Sequence, residues 1–114
     1  MANFIIGDYF VRFESNLGTN GLGTVTVRNG LITGGDGGYR YRGFVVTKGG
    51  CHYGRIAIER LDPLAVSLFG AVERFDIEIS GKAERDMFAF SGCVSGAEHL
   101  RVRIVLFPAL RVAA

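Results

Sequence analysis

Arg28-Asn29-Gly30-Leu31-Ile32-Thr33-Gly34-Gly35-Asp36-Gly37-Gly38-Tyr39-Arg40-Tyr41-Arg42-Gly43 is the stretch that decides the fold. Asn29-Gly30 suits a two-residue hairpin turn, which needs positive φ at both central positions. Gly34 to Gly38 gives a second, wider turn, and Tyr39 to Gly43 opens an aromatic strand. Hairpins this short join neighbouring antiparallel strands, so the stretch predicts an all-β meander.

Working outward, period-two alternation recurs along almost the whole chain, as in strands with one buried face. Tyr9, Val11 and Phe13 share a face against Phe10, Arg12 and Glu14. The same pattern sets Val25 and Val27, Ile56 and Ile58, Phe75, Ile77 and Ile79, and Phe88 and Phe90 on predicted inner faces. Leu100, Val102, Ile104 and Leu106 complete the series, and the last strand ends near Pro108, which cannot donate to a ladder. Turn signals lie at Asn16–Gly23, Lys48-Gly49-Gly50, Gly81-Lys82-Ala83-Glu84 and Ser95-Gly96-Ala97-Glu98. One segment departs from the rule. Asp62 is a good N-cap, Pro63 suits the first helical position, Leu64 and Leu68 are four apart, and Gly70 can stop the run. A short helix near residues 63–69 is predicted, lying across a barrel mouth or a sheet edge.

The expectation is therefore a single up-and-down antiparallel barrel of about eight strands over residues 1–114, with that one helical insert between the fifth and sixth. A barrel of this size is filled by its own side chains or holds one small ligand.

Composition supports one domain. The chain has 114 residues, enough for one core, and 48% of them are apolar, which argues against disorder. Its 17 glycines are spread at intervals, as many turns and bulges require. With 13 basic and 11 acidic residues the charge is nearly balanced, which gives no footprint for nucleic acid or an anionic membrane. No apolar run approaches a spanning helix, and no basic region followed by an apolar core opens the chain. A cytoplasmic location is expected. Cys51 and Cys93 are expected as free thiols in half-buried strand positions.

The motifs Gly7-Asp8-Tyr9, Gly21-Leu22-Gly23, Asn29-Gly30, Thr33-Gly34-Gly35-Asp36 and Tyr41-Arg42-Gly43 resemble the pattern of GrlR-like proteins. Val94-Ser95-Gly96 and Leu106-Phe107-Pro108 fit more loosely, and the sharp part runs from Asn29 to Gly43. The resemblance implies a lipocalin-like barrel, often dimeric. It also implies a negative regulator of type III secretion that binds a helix-turn-helix transcription regulator. The sequence departs from that pattern in one place. The hairpin after the aromatic strand, a possible partner contact, runs Val46-Thr47-Lys48-Gly49-Gly50 and has no acid to attract a basic partner. The fold carries over from the resemblance, and the partner's identity does not.

Other motifs bear on chemistry. Gly34 to Gly38 can be an anion nest or a cation site on Asp36, but no second acid lies nearby, and a turn with Asp36 bonded to backbone N–H groups is simpler. Tyr39, Arg40, Tyr41, Arg42 and Phe44 echo an RNA-binding strand, yet alternation puts the tyrosines and the arginines on opposite faces. Tyr39 and Tyr41 then line the barrel with Phe75, Ile77, Phe88 and Phe90. Cys51-His52 cannot pair within one strand, because strand neighbours face opposite ways. Pairing of either cysteine with His99 has no motif behind it. No hydrolase, metalloprotease, phosphate-loop or dinucleotide signature is present, and the cysteines and histidines lack zinc spacing.

These readings predict no catalytic site, no metal and no cofactor. The first expectation is a non-catalytic regulator acting by protein–protein contact. The alternative is a carrier or sensor for a small apolar ligand, using the barrel interior. Apolar residues on both faces of a strand, as at Val105 and Phe107, with Phe10, Phe44 and Val46, predict a homodimer.

Overall fold

The computed structural model describes residues 6–70 and 72–109. Eight strands form a closed up-and-down barrel: β1 (Gly7–Ser15), β2 (Asn20–Arg28), β3 (Leu31–Gly35), β4 (Tyr39–Lys48), β5 (Cys51–Arg60), β6 (Arg74–Glu84), β7 (Met87–Val94) and β8 (Ala97–Pro108). Each strand pairs antiparallel with its sequence neighbour, and β8 closes on β1 from Tyr9↔Pro108 to Ser15↔Val102. Closure leaves no open edge to template aggregation.

The alternation read from the sequence sets the faces. Tyr9, Val11, Phe13, Val25, Val27, Tyr39, Tyr41, Ile56, Ile58, Ile77 and Ile79 are buried, as are Phe88, Phe90, Val102, Ile104 and Leu106. Phe75 and Leu100 point the same way but are only half-buried. Arg40, Arg42, Arg101 and Arg103 face out. Asn29 and Gly30 take φ of 51° and 79°, the pair of positive values expected of their turn.

Gly43 is a point of close approach. It pairs with Ile32 on one side and Ile56 on the other, and a Cβ there would lie 2.1 Å from the Arg55 carbonyl oxygen. A glycine at this inward position lets β4 curl tightly against β5.

Three local expectations are corrected. The predicted helix near residues 63–69 is absent; among the described residues there is no helix. Asp62 does cap, accepting from the Leu64 N–H at 2.9 Å, and its carbonyl accepts from Ala65 at 2.9 Å. The turn then stops. The Ser67 hydroxyl donates to the Gly70 carbonyl and accepts from the Phe69 N–H, diverting backbone groups a helix would need. A helix of one or two turns gains little by itself. The segment instead docks on the barrel: Leu61 and Asp62 both donate to the Gly38 carbonyl. Leu68 is half-buried against the barrel while Leu64 is 88% exposed, so the two do not share a face.

The second correction is at β6, which continues through Gly81–Glu84. The turn falls at Arg85-Asp86, where Arg85 takes φ of 57°. Gly81 is an inward strand glycine paired with Phe90. The third is at strand ends: β2 begins at Asn20, so Gly21 and Gly23 pair with Phe13 and Val11 and are not loop residues, Gly34 and Gly35 belong to β3, and Ala97 and Glu98 belong to β8.

Candidate functional site

Up-and-down topology gives the barrel two unlike ends. One carries the two-residue turns at 29–30, 49–50 and 85–86. The other carries residues 16–19, 36–38, 61–73 and 95–96.

The short-turn end is sealed by side chains. The Phe88 ring packs edge-on against Tyr9 at 5.8 Å and against His52 at 5.3 Å between centroids. His52 is fully buried, and its Nδ1 shares a hydrogen bond of 2.7 Å with the Thr47 hydroxyl. The waist is filled too. The void between Val11, Val27, Ile32, Phe90 and Ile104 measures about 20 Å³, room for one water at most.

Above the waist the interior opens into a cup of about 360 Å³. That lies at the lower end of the range of small-ligand pockets. Its floor and walls include Phe13, Ile58, Phe75 and Ile77. Phe69 packs edge-on against Phe75 at 5.7 Å, and Phe13 against Tyr41 at 5.4 Å. Glycines keep the space clear. A Cβ on Gly23 would sit 2.9 Å from the Tyr41 hydroxyl, while one on Gly21 would meet only Leu68, at 3.8 Å.

The 61–73 connection forms part of the rim and is tied at several points. The Thr19 hydroxyl donates to the Leu68 carbonyl at 2.6 Å. The Tyr39 hydroxyl donates to the Val72 carbonyl at 2.9 Å. Ala65 rests on Gly38, where a Cβ would come within 2.4 Å.

Asp36 is the polar focus of the cup. Its Oδ1 accepts from the Gly38 and Tyr39 N–H groups, each at 2.8 Å, as the sequence reading of this turn expected. Its Oδ2 accepts from the Tyr41 hydroxyl. Burial, and then the hydrogen bond to Asp36 and its negative charge, push the Tyr41 hydroxyl well above the ordinary tyrosine value. Tyr41 therefore stays a neutral donor. Among the described residues lining the cup, Asp36 is the single acid, and there is no Lys, Arg, His or Cys. The arrangement can hold a hydrogen-bond donor against a carboxylate.

No protein-family model matches this chain, and no curated protein matches it.

The residues singled out from the sequence separate along the barrel. Asp36, Tyr39, Tyr41, Phe75 and Ile77 line the cup, and Gly34 and Gly35 lead into the Asp36 turn. Asn29 and Gly30 lie at the other end, as does the hairpin Thr47, Lys48, Gly49 and Gly50. Phe88 and Phe90 serve the sealed end and the waist. Cys51 and Cys93 are free and half-buried. The sequence reading missed the Asp36–Tyr41 pair and the part taken by Thr19, Ser67 and Leu68. A signal for the first was present: a turn acid followed by an inward tyrosine two positions beyond Tyr39. Nothing local marks the second, since the 61–73 connection meets Thr19 only through the closed fold.

Proposed function

We propose that the protein binds a small, largely apolar molecule in the cup at its open end. One observation carries this reading: a cup of about 360 Å³ with aromatic and aliphatic walls stands above a filled waist, with Asp36 the one carboxylate among the described residues that line it. Apolar walls with few placed polar groups are the usual form of a ligand site. The role that follows is a carrier or sensor. The test is titration with a neutral fluorescent probe, N-phenylnaphthylamine, against wild type and Gly21→Leu. Gly21 lines the cup, and a Cβ there would meet no backbone within 4 Å. Saturable binding by wild type that Gly21→Leu loses at unchanged melting temperature is the expected result. Equal titration of both proteins overturns the reading.

A second reading, protein contact, has its own observation on the outer wall. Leu31, Phe44, Val46 and Tyr53 are exposed and form one strip, with Leu31 paired to Phe44 and Val46 to Tyr53. Of the charges that border it, Arg55 is paired with Glu78 at 3.2 Å, while Arg28 lies opposite Leu31 and Arg42 two positions before Phe44, so the strip is an apolar centre with a charged edge. A second copy of the chain supplies a matching strip, in keeping with the homodimer expected from the sequence. A dimeric mass that Phe44→Glu converts to a monomer supports this; a monomeric wild type at micromolar concentration removes it.

A further inference from the structure

We infer that the cup selects an organic ammonium: a molecule with an apolar body and one protonated amine that docks on Asp36. The inference rests on the reading of the cup as a ligand site and narrows it to a ligand class.

The argument starts from the acceptors. An ionised carboxylate offers about four lone-pair positions. Gly38, Tyr39 and Tyr41 occupy three of those on Asp36, and the backbone N–H donors fix its orientation. One position is left, on a group that lines the cup and is solvent-exposed. The incoming ligand is therefore wanted as a donor.

The donors of the cup point to the same conclusion. Every hydroxyl that lines it is already spent within the protein. Tyr41 donates to Asp36, Tyr39 to the Val72 carbonyl, Thr19 to the Leu68 carbonyl and Ser67 to the Gly70 carbonyl. Asn20 contributes an amide that serves either sign. Among the described residues lining the cup, a carboxylate or phosphate would meet no Lys, Arg or His, and it would approach the Asp36 carboxylate. Like charges brought together disfavour binding. Arg40, on the outer face of β4 next to Tyr39, is tied to Glu59 across the wall.

The walls carry aromatic rings, Phe13 against Tyr41 and Phe69 against Phe75, each pair meeting edge to face. Aromatic rings attract ammonium groups through their faces.

Isothermal titration at neutral pH with phenylbutylamine, phenylbutanol and phenylbutyrate tests the inference, because the three share one body and differ in the head group. The expected order is amine, then alcohol, then acid, with the amine about tenfold or more tighter than the acid. Asp36→Asn keeps an oxygen for the Gly38 and Tyr39 N–H groups, and is expected to bring amine and alcohol to within about threefold. Binding of all three without preference, or preference for the acid, overturns the ammonium inference and leaves the ligand reading standing. Failure of all three to bind saturably overturns both. A second readout does not depend on the variant's folding. In wild type, the amine is expected to move the backbone N–H resonances of Gly38 and Tyr39, the donors to Asp36, more than the alcohol does. Equal shifts from both probes count against the inference.

Discussion

The two ends of this barrel are built from the same alternating strands, yet one is packed shut and the other holds a cup. At the sealed end two-residue turns keep the strands close, and Phe88 meets both Tyr9 and His52. At the open end the equivalent inward phenylalanine, Phe75, meets Phe69 of the 61–73 connection and remains half-buried. The difference lies in what caps each end. A turn of two residues brings no side chain back over the interior, so the strand residues must fill it. A long connection brings its own Ala65, Leu68 and Phe69, and the strands can leave room beneath them.

The largest effect expected from this comparison is on stability. Phe88→Ala removes a ring that is 8% exposed and is expected to cost about 3–5 kcal/mol in urea denaturation. Phe75→Ala should cost about half of that or less, because part of its ring already faces the cup, and it should change probe affinity instead. Equal losses at the two sites would break the distinction between a sealed and an open end.

Gly43→Ala tests the scaffold that both ends share. The new Cβ falls 2.1 Å from the Arg55 carbonyl oxygen and 2.8 Å from the Ile56 Cα, so backbone must give way. An overpacking loss of about 1–3 kcal/mol in the same denaturation is expected, with the probe's binding stoichiometry unchanged. A neutral result would show that β4 and β5 are less tightly curled than this geometry requires.

The sealed end was more legible in the sequence than the open one. The inward positions of Tyr9, Phe88 and Phe90 follow from alternation alone, because a strand's faces repeat with period two. Asn29-Gly30 places its own turn, since its φ values are a local property. The 61–73 connection was misread because Asp62-Pro63 and the Leu64–Leu68 spacing are genuine helix signals, while the forces that override them come from distant chain. The Gly38 carbonyl captures Leu61 and Asp62 once β4 and β5 pair, and Thr19 captures Leu68 once the barrel has closed. Gly81 misled in the same way: glycine marks a turn and a close strand approach equally well in sequence. The Asp36 turn was legible, and the inward Tyr41 beyond it signalled a partner for the carboxylate, though only the folded strand brings hydroxyl and carboxylate together.

At alkaline pH the Asp36–Tyr41 pair gives the open end a signature of its own. The Tyr41 hydroxyl titrates above its ordinary value, with burial the largest cause. Above about pH 10 the unfolded chain loses this proton while the folded chain keeps it, so stability falls as pH rises. The linkage slope for one proton is about 1.4 kcal/mol per pH unit. Tyr41→Phe should remove up to that much from the alkaline slope of wild-type stability, read from urea midpoints between pH 9 and pH 11. Tyr9 is also shifted upward by burial and leaves a residual slope in the variant. Parallel alkaline limbs in the two proteins would show that Tyr41 is not held as a neutral donor to Asp36.

The smallest effect concerns the tie between the connection and the barrel. The Thr19 hydroxyl donates to the Leu68 carbonyl at 2.6 Å and also meets the Ser15 hydroxyl at 2.6 Å, at an exposed rim. Thr19→Val keeps the shape and β-branching and removes both contacts, so the global loss is expected to be about 1 kcal/mol or less. Local opening should respond more than global stability, because Leu68 loses a link to the β1–β2 side of the rim while Tyr39 still holds Val72. Amide exchange within residues 64–70 is expected to accelerate severalfold, with exchange around Phe88 unchanged. Acceleration at both ends together would mean that the connection and the Phe88 end open as one unit. The contrast between them would then be one of shape and not of stability.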